Sequence, residues 1–214
     1  NLEKAMKLNY KKSGTSDALL LWWKAVAYEE MGDMEKCIPI MESAVQLAEK
    51  QKDEDLYSML DDMADMYFSQ KNYSAAEGIY NEMLKLDEGS QKPRLGLARN
   101  MIAREQYDDA LKMLEECKKY NKENPNIYKF QVNAYEGLKE YKKMIDAMLL
   151  LYEKSEDYGY LDGDRFKLDA KYAEAVLKGK IAQDGNNFVW KFCLADLYEK
   201  CYEYSKEVEV LNSL

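Results

Sequence analysis

One helix-forming pattern recurs along this chain, and its recurrence constrains the fold more than any other feature. The stretches "KNYSAAEGIYNEMLKL", "EQYDDALKMLEECKKY" and "EYKKMIDAMLLLYEKS" each carry a tyrosine near their start, at Tyr73, Tyr107 and Tyr141. Successive tyrosines are 34 residues apart, and Met34 holds the same place one unit earlier, at a spacing of 39 residues. Repetition at such a period is typical of a fold built from stacked helical units.

Apolar residues follow each of these openings at helical spacing. The positions three, seven and ten residues later fall on one stripe of a helix and are predicted to be buried. They are occupied by Cys37, Met41 and Ala44, by Ala76, Tyr80 and Met83, by Ala110, Leu114 and Cys117, and by Met144, Met148 and Leu151.

A partner helix is predicted before each stripe. Its centre holds a small residue followed three positions later by a large one, as in Ala64 and Tyr67 or Ala98 and Met101. Short polar turns such as "SQKNY" and "GLKEY" separate the two helices of each unit. Pro93 and Pro125 stand where first helices are expected to begin. Proline is tolerated there because the first backbone N–H groups of a helix have no partner within the helix.

This helix–turn–helix unit of 34 residues resembles the tetratricopeptide repeat. The residues that carry the resemblance include "MADMYFSQKNYSAAEGIYNEML", "LARNMIAREQYDDALKMLEEC" and "NAYEGLKEYKKMIDAMLLL", with a fifth unit in "LADLYEKCYEYSKEVEVLNSL". The resemblance implies an all-α, right-handed superhelical solenoid of stacked antiparallel helix pairs.

The repeat register divides the chain into a single solenoid with irregular parts. The predicted repeats are 18–51, 57–90, 91–124, 125–158 and a truncated unit at 188–214. Residues 1–12 are expected to be the tail of a preceding repeat. Residues 159–187 are expected to form a loop followed by an extra helix or a degenerate repeat, because Tyr141 and Tyr204 are 63 residues apart rather than 34.

Composition argues against most chemistry and several classes of partner. The chain of 214 residues has no histidine, so no Ser–His or Cys–His nucleophile is available. No phosphate-binding glycine loop is present, and no metal or cofactor is predicted. With a net charge of −9 the chain should repel nucleic acid. No apolar run reaches the roughly 18 residues that would span a bilayer.

The four cysteines show no paired spacing. Cys193 and Cys201 are eight residues apart, too far to bridge on one helix, and Cys37 and Cys117 fall on apolar faces. We therefore expect free, buried thiols rather than disulfides or metal ligands. Unpaired thiols favour a reducing compartment.

The resemblance places a partner-binding groove on the first helices of the pairs. The corresponding positions are Trp22, Val26, Asp61, Asp65, Lys92, Arg99, Lys129, Asn133 and Asp196. The apolar first repeat, the acidic second and the basic third and fourth favour a partner with an apolar anchor and charges of both signs. Trp22 and Trp23 point to different sides of one helix, so one should be buried and the other exposed.

The expected function is that of a non-enzymatic scaffold that binds a partner peptide or helix in this groove. The alternative is a structural segment of a longer repeat array, which packs against its own chain or self-associates through uncapped ends.

Overall fold

The structure is a computed structural model that describes residues 16–156, 159, 161–185 and 187–214. The predicted tail at 1–12 lies outside the described residues. Every regular element in the described part of the chain is helical. The chain divides after Asn100 into two compact units. None of the helices in the described ranges is long and apolar enough to cross a membrane.

The first unit is built from consecutive antiparallel helices. They are α1 (Asp17–Glu30), α2 (Met34–Gln51), α3 (Leu56–Ser69), α4 (Tyr73–Leu86) and the first part of α5 (Gln91–Ala103). α1 pairs with α2, α3 pairs with α4, and α2 also packs on α3. Three of these helices begin at a polar cap, because Ser16, Asp33 and Asn72 accept hydrogen bonds from backbone N–H groups of the first turn.

The second unit continues the helical order. It contains α6 (Tyr107–Tyr120), α7 (Pro125–Gly137), α8 (Tyr141–Ser155), the one-turn helix α9 (Gly163–Phe166), α10 (Ala170–Gln183), α11 (Phe188–Lys200) and α12 (Tyr204–Leu211). α7 pairs with α8 and α11 pairs with α12, while α6 packs on α7 and both α9 and α10 pack on α11. Pro125 begins α7, as predicted.

Burial follows the predicted stripes. All twelve stripe positions of α2, α4, α6 and α8 are at most 2% exposed, and the small first-helix residues Ala25, Ala64, Ala98 and Val132 are at most 1% exposed. The prediction of a packed face at helical spacing is therefore confirmed for α2, α4, α6 and α8. α12 differs, because none of its residues is buried and Glu207 stands where the other second helices carry Cys37, an alanine or Met144.

The turn inside each helix pair has one repeated backbone conformation. The residue two positions before each second helix has a positive φ: Gly32 at 73°, Lys71 at 58°, Glu105 at 60°, Lys139 at 60° and Tyr202 at 60°. The N–H of the following residue donates to the carbonyl five residues back, at 2.9 Å in every case. This bond satisfies a carbonyl that the end of the first helix would otherwise leave free.

The cysteines are free thiols, and we predict that three of them react slowly. Cys37, Cys117 and Cys193 are buried, whereas Cys201 is half-buried. Burial raises the pKa of Cys193 to about 12, and the thiolate is the reactive form. Titration of the native protein with a thiol reagent should label Cys201 first, and the other three only at the rate of unfolding. Rapid labelling of all four sites in the native state would contradict this packing.

Candidate functional site

The predicted groove positions of the first unit lie on α1, α3 and α5. Trp22 and Val26 are half-buried on α1, Asp61 and Asp65 lie on α3, and Lys92 lies on α5. Their spacing places them on one side of each helix, next to the small residue that packs inside the pair. Polar side chains join α1 to α3 and α3 to α5.

Trp22 is held by a hydrogen bond to the neighbouring first helix. Its indole Nε1–H donates to Oδ2 of Asp62 at 2.8 Å. Trp23 points elsewhere and is 52% exposed. The expectation that one of the two tryptophans is buried is wrong, because Trp22 is only half-buried. One tryptophan is thus fixed in the surface between α1 and α3, and the other is the more exposed aromatic of the pair.

Two ion pairs connect α3 to α5. The Lys92 ammonium pairs with Asp61, and the Arg99 guanidinium pairs with Asp65. Each basic position is therefore matched by an acidic position of the preceding repeat, about one helix spacing away. An acidic partner segment would have to compete with these two carboxylates for the cations.

Arg99 is also held from a second side. Its Nη2 donates to the Tyr80 hydroxyl at 2.7 Å, and the Tyr80 hydroxyl in turn donates to Asp65 at 3.2 Å. Its Cζ lies 4.1 Å from the centroid of the Phe68 ring, within range of a cation–π interaction. Burial raises the pKa of Tyr80 to about 12, so its hydroxyl keeps its proton and donates. These contacts fix the guanidinium in one orientation.

Carboxylates accumulate between α1 and α3. Burial raises the pKa of Asp62 above its usual value, with the charges of Asp61 and Asp65 adding to the effect. Burial together with the charge of Asp62 likewise raises the pKa of Glu29. The ionised form of Asp62 is therefore disfavoured by the fold, although it accepts the indole hydrogen bond.

We predict that Asp62→Asn stabilises the protein at neutral pH. The amide oxygen can still accept the Trp22 hydrogen bond, while the charge disfavoured by burial and by its neighbours is removed. We expect the Tm to rise by about 1–3 °C at pH 7. Asp61→Asn is the matched control, and it should give no gain because Asp61 is paired with Lys92.

The sign of the pH dependence follows from the raised pKa. A carboxyl whose folded pKa lies above its unfolded pKa destabilises the fold at high pH, and this penalty is relieved as pH falls through the folded value. The gain from Asp62→Asn should therefore shrink as pH is lowered toward about 4. A lower Tm for Asp62→Asn at pH 7 would contradict this interpretation.

The remaining groove positions belong to the second unit. Lys129 and Asn133 are half-buried on α7. Asp196 on α11 is engaged inside the fold, because its Oδ2 accepts a hydrogen bond from the Gly163 N–H at 2.8 Å and so fixes the start of α9. A side chain added at Gly163 would lie 2.5 Å from that same oxygen.

Several residues that organise this surface were not among the predicted site positions. Tyr80 was expected only as core, and Asp62, Phe68 and Glu29 carried no role. A buried tyrosine hydroxyl normally requires a hydrogen-bond partner. The tyrosine at the core position 80 was therefore the one sequence signal that polar side chains lie nearby. Across the described ranges, no group of three or more potential metal ligands is brought together.

Two sequence models of the tetratricopeptide repeat family match this chain, one at residues 16–89 and the other at 67–133. Together the matches span residues 16–133, which is more than half of the 214 residues. No curated protein sequence matches at a significant level.

Solved tetratricopeptide structures resemble this fold at low sequence identity. A tetratricopeptide repeat protein from Parabacteroides merdae has a TM-score of 0.60 and 14% identity, with 91% of this chain and 77% of that chain covered. The C-terminal part of a tetratricopeptide protein from Cytophaga hutchinsonii has a TM-score of 0.63 and 16% identity, with 98% and 78% covered. PilF from Pseudomonas aeruginosa has a TM-score of 0.62 and 15% identity, with 96% and 85% covered.

The packed helix pairs, the repeated burial pattern and the family matches agree with one another. Members of the matched family generally mediate protein–protein interactions and are typically non-catalytic. This chain belongs to the tetratricopeptide repeat family.

Proposed function

We propose that this protein is a non-enzymatic scaffold that binds a partner peptide or helix on the surface formed by the first helices of its pairs. The observation that carries the proposal is the ordered side-chain surface across α1, α3 and α5. Trp22 to Asp62, Asp61 to Lys92 and Asp65 to Arg99 link each first helix to the next. A surface whose side chains are already fixed loses less conformational entropy when it binds.

The chemistry of this surface favours a partner that carries an apolar side chain and a basic group. Lys92 and Arg99 are balanced by Asp61 and Asp65, while Asp62 and Glu29 add negative charge next to the indole of Trp22. A partner with an apolar side chain for the Trp22 region and a basic group near α1 and α3 would meet complementary potential. Within the second unit, Lys129 and Asn133 on α7 are separate candidates for contact with a partner.

Site-specific photocrosslinking tests the proposal and does not require the partner to be identified first. A benzoylphenylalanine placed at Val26 lies on the proposed surface, whereas one placed at the exposed Gln46 of α2 does not. Irradiation in a lysate of the source organism should give a defined crosslinked protein from position 26 that is absent from position 46. Crosslinks from position 46 alone would remove this surface from the binding site. Turnover in a broad hydrolase screen would overturn the non-enzymatic assignment.

A second function is favoured by the surface of α12. Tyr204, Val208 and Leu211 follow one another at helical spacing and are 57%, 54% and 40% exposed. Exposed apolar side chains aligned on one face of a helix favour its burial against a partner surface. The alternative is therefore packing of α12 against a second copy or against another part of a longer chain. In sedimentation measurements the mass should then rise with concentration, and Val208→Lys should abolish the rise.

A further inference from the structure

A cleft in the second unit lies where the C-terminal ends of α8 and α10 meet the start of α11. Its volume is about 570 Å³, within the size range of ligand-binding clefts. Its aromatic lining comes from Tyr152, Trp190 and Phe188. The Tyr152 and Trp190 rings meet edge to face with centroids 4.9 Å apart, which fixes the indole, whereas Phe188 is 66% exposed.

The cleft already holds one cation that belongs to the chain. The Lys180 ammonium pairs with the Glu153 carboxylate and lies 5.7 Å from the centroid of the Trp190 ring. An aromatic face beside a carboxylate is a favourable setting for an ammonium or guanidinium group. The internal contact of Lys180 therefore illustrates the chemistry that this lining accommodates.

Two further carboxylates line the cleft. Glu156 follows the end of α8 and Asp184 follows the end of α10, and both are exposed. Within the ranges that the structure describes, no lysine or arginine forms an ion pair with either of them. Three carboxylates against the single ammonium of Lys180 leave the lining with a net formal charge of −2. A cationic group from outside would lower this repulsion.

We propose that this cleft binds a lysine or arginine side chain from a basic segment of a protein partner. The aliphatic stem would pack against the exposed ring of Phe188, and the cationic head would lie toward Glu156 and Asp184. Long basic side chains combine an apolar stem with a charged head in this way. The site is separate from the proposed surface on α1, α3 and α5, so either can be tested alone.

The first test uses a blocked tetralysine peptide as the probe and NMR of the isotopically labelled protein as the readout. The indole N–H signal of Trp190 should move and saturate on titration at low salt, and the shift should weaken at high salt because exposed charges are screened. A blocked tetraglutamate peptide should leave this signal unchanged. A tetralysine titration that never moves the Trp190 signal would overturn the proposal.

The second test compares variants with the same change in net charge. Glu156→Gln with Asp184→Asn should weaken tetralysine binding about tenfold, or about 1.4 kcal/mol. The matched control is Glu105→Gln with Asp108→Asn, two exposed carboxylates near the start of α6. Phe188→Ala should also weaken binding, which a purely electrostatic attraction would not predict. Equal losses in the two charge variants would reject a defined site.

Discussion

Ala110→Glu should destabilise the protein by about 3–5 kcal/mol, the largest effect expected from any single substitution proposed for this chain. Ala110 is fully buried near the start of α6, at a position where the packing leaves room only for a small side chain. Glutamate would overpack this contact and bring a charge into a site without solvent. Thermal and urea unfolding followed by circular dichroism measure the loss.

The matched control for this change is Ala182→Glu. Ala182 is exposed near the end of α10 in the same unit, so the same substitution there adds neither bulk to the core nor a buried charge. It should alter stability by no more than about 0.5 kcal/mol. If the two variants unfolded at the same urea concentration, the repeat register proposed for α6 would be wrong.

Gly96→Ala should also destabilise the protein, by about 1–3 kcal/mol, although alanine forms helices better than glycine. A Cβ built on Gly96 in α5 lies 2.4, 2.5 and 2.8 Å from three ring atoms of Tyr80. That ring cannot easily move, because Tyr80 is 2% exposed and its hydroxyl contacts Arg99 and Asp65.

Gly78→Ala provides the control, because the same change there meets empty space. Gly78 lies inside α4 in the same unit, and nothing comes within 4 Å of a Cβ added to it. The helix propensity of alanine should then stabilise the protein by about 0.5–1 kcal/mol. Opposite signs for the two variants, measured in one urea series, are the expected result. Stabilisation by both would show that α5 does not approach the Tyr80 ring.

The parts of the fold that were predictable from sequence are those governed by local period. Burial recurs every three or four residues along a helix, so Cys37, Leu114 and Met148 could be assigned to the core from spacing alone. The starts of the second helices were predictable for the same reason, since an aromatic or methionine opens each of them.

The polar contacts of the candidate site were not predictable, because they join residues far apart in sequence. Trp22 and Asp62 are separated by 40 residues, and Arg99 and Asp65 by 34. The repeat register could place these residues on neighbouring helices, but side-chain rotamers decide which atoms meet. The sequence predicted an acidic second repeat and a basic third repeat, but spacing alone did not show that Lys92 pairs with Asp61 and Arg99 with Asp65.

The five left-handed turn residues show that one backbone geometry accepts several different side chains at the turns inside the helix pairs. Their geometry depends on a backbone hydrogen bond, and one glycine, two lysines, one glutamate and one tyrosine all adopt it. Gene duplication can therefore copy a helix pair together with its turn, and the turn residue can later change among such side chains while the backbone hydrogen bond is kept. The exposed residues of each copy are then free to diverge. Partner recognition can therefore change while the geometry of the turns is kept.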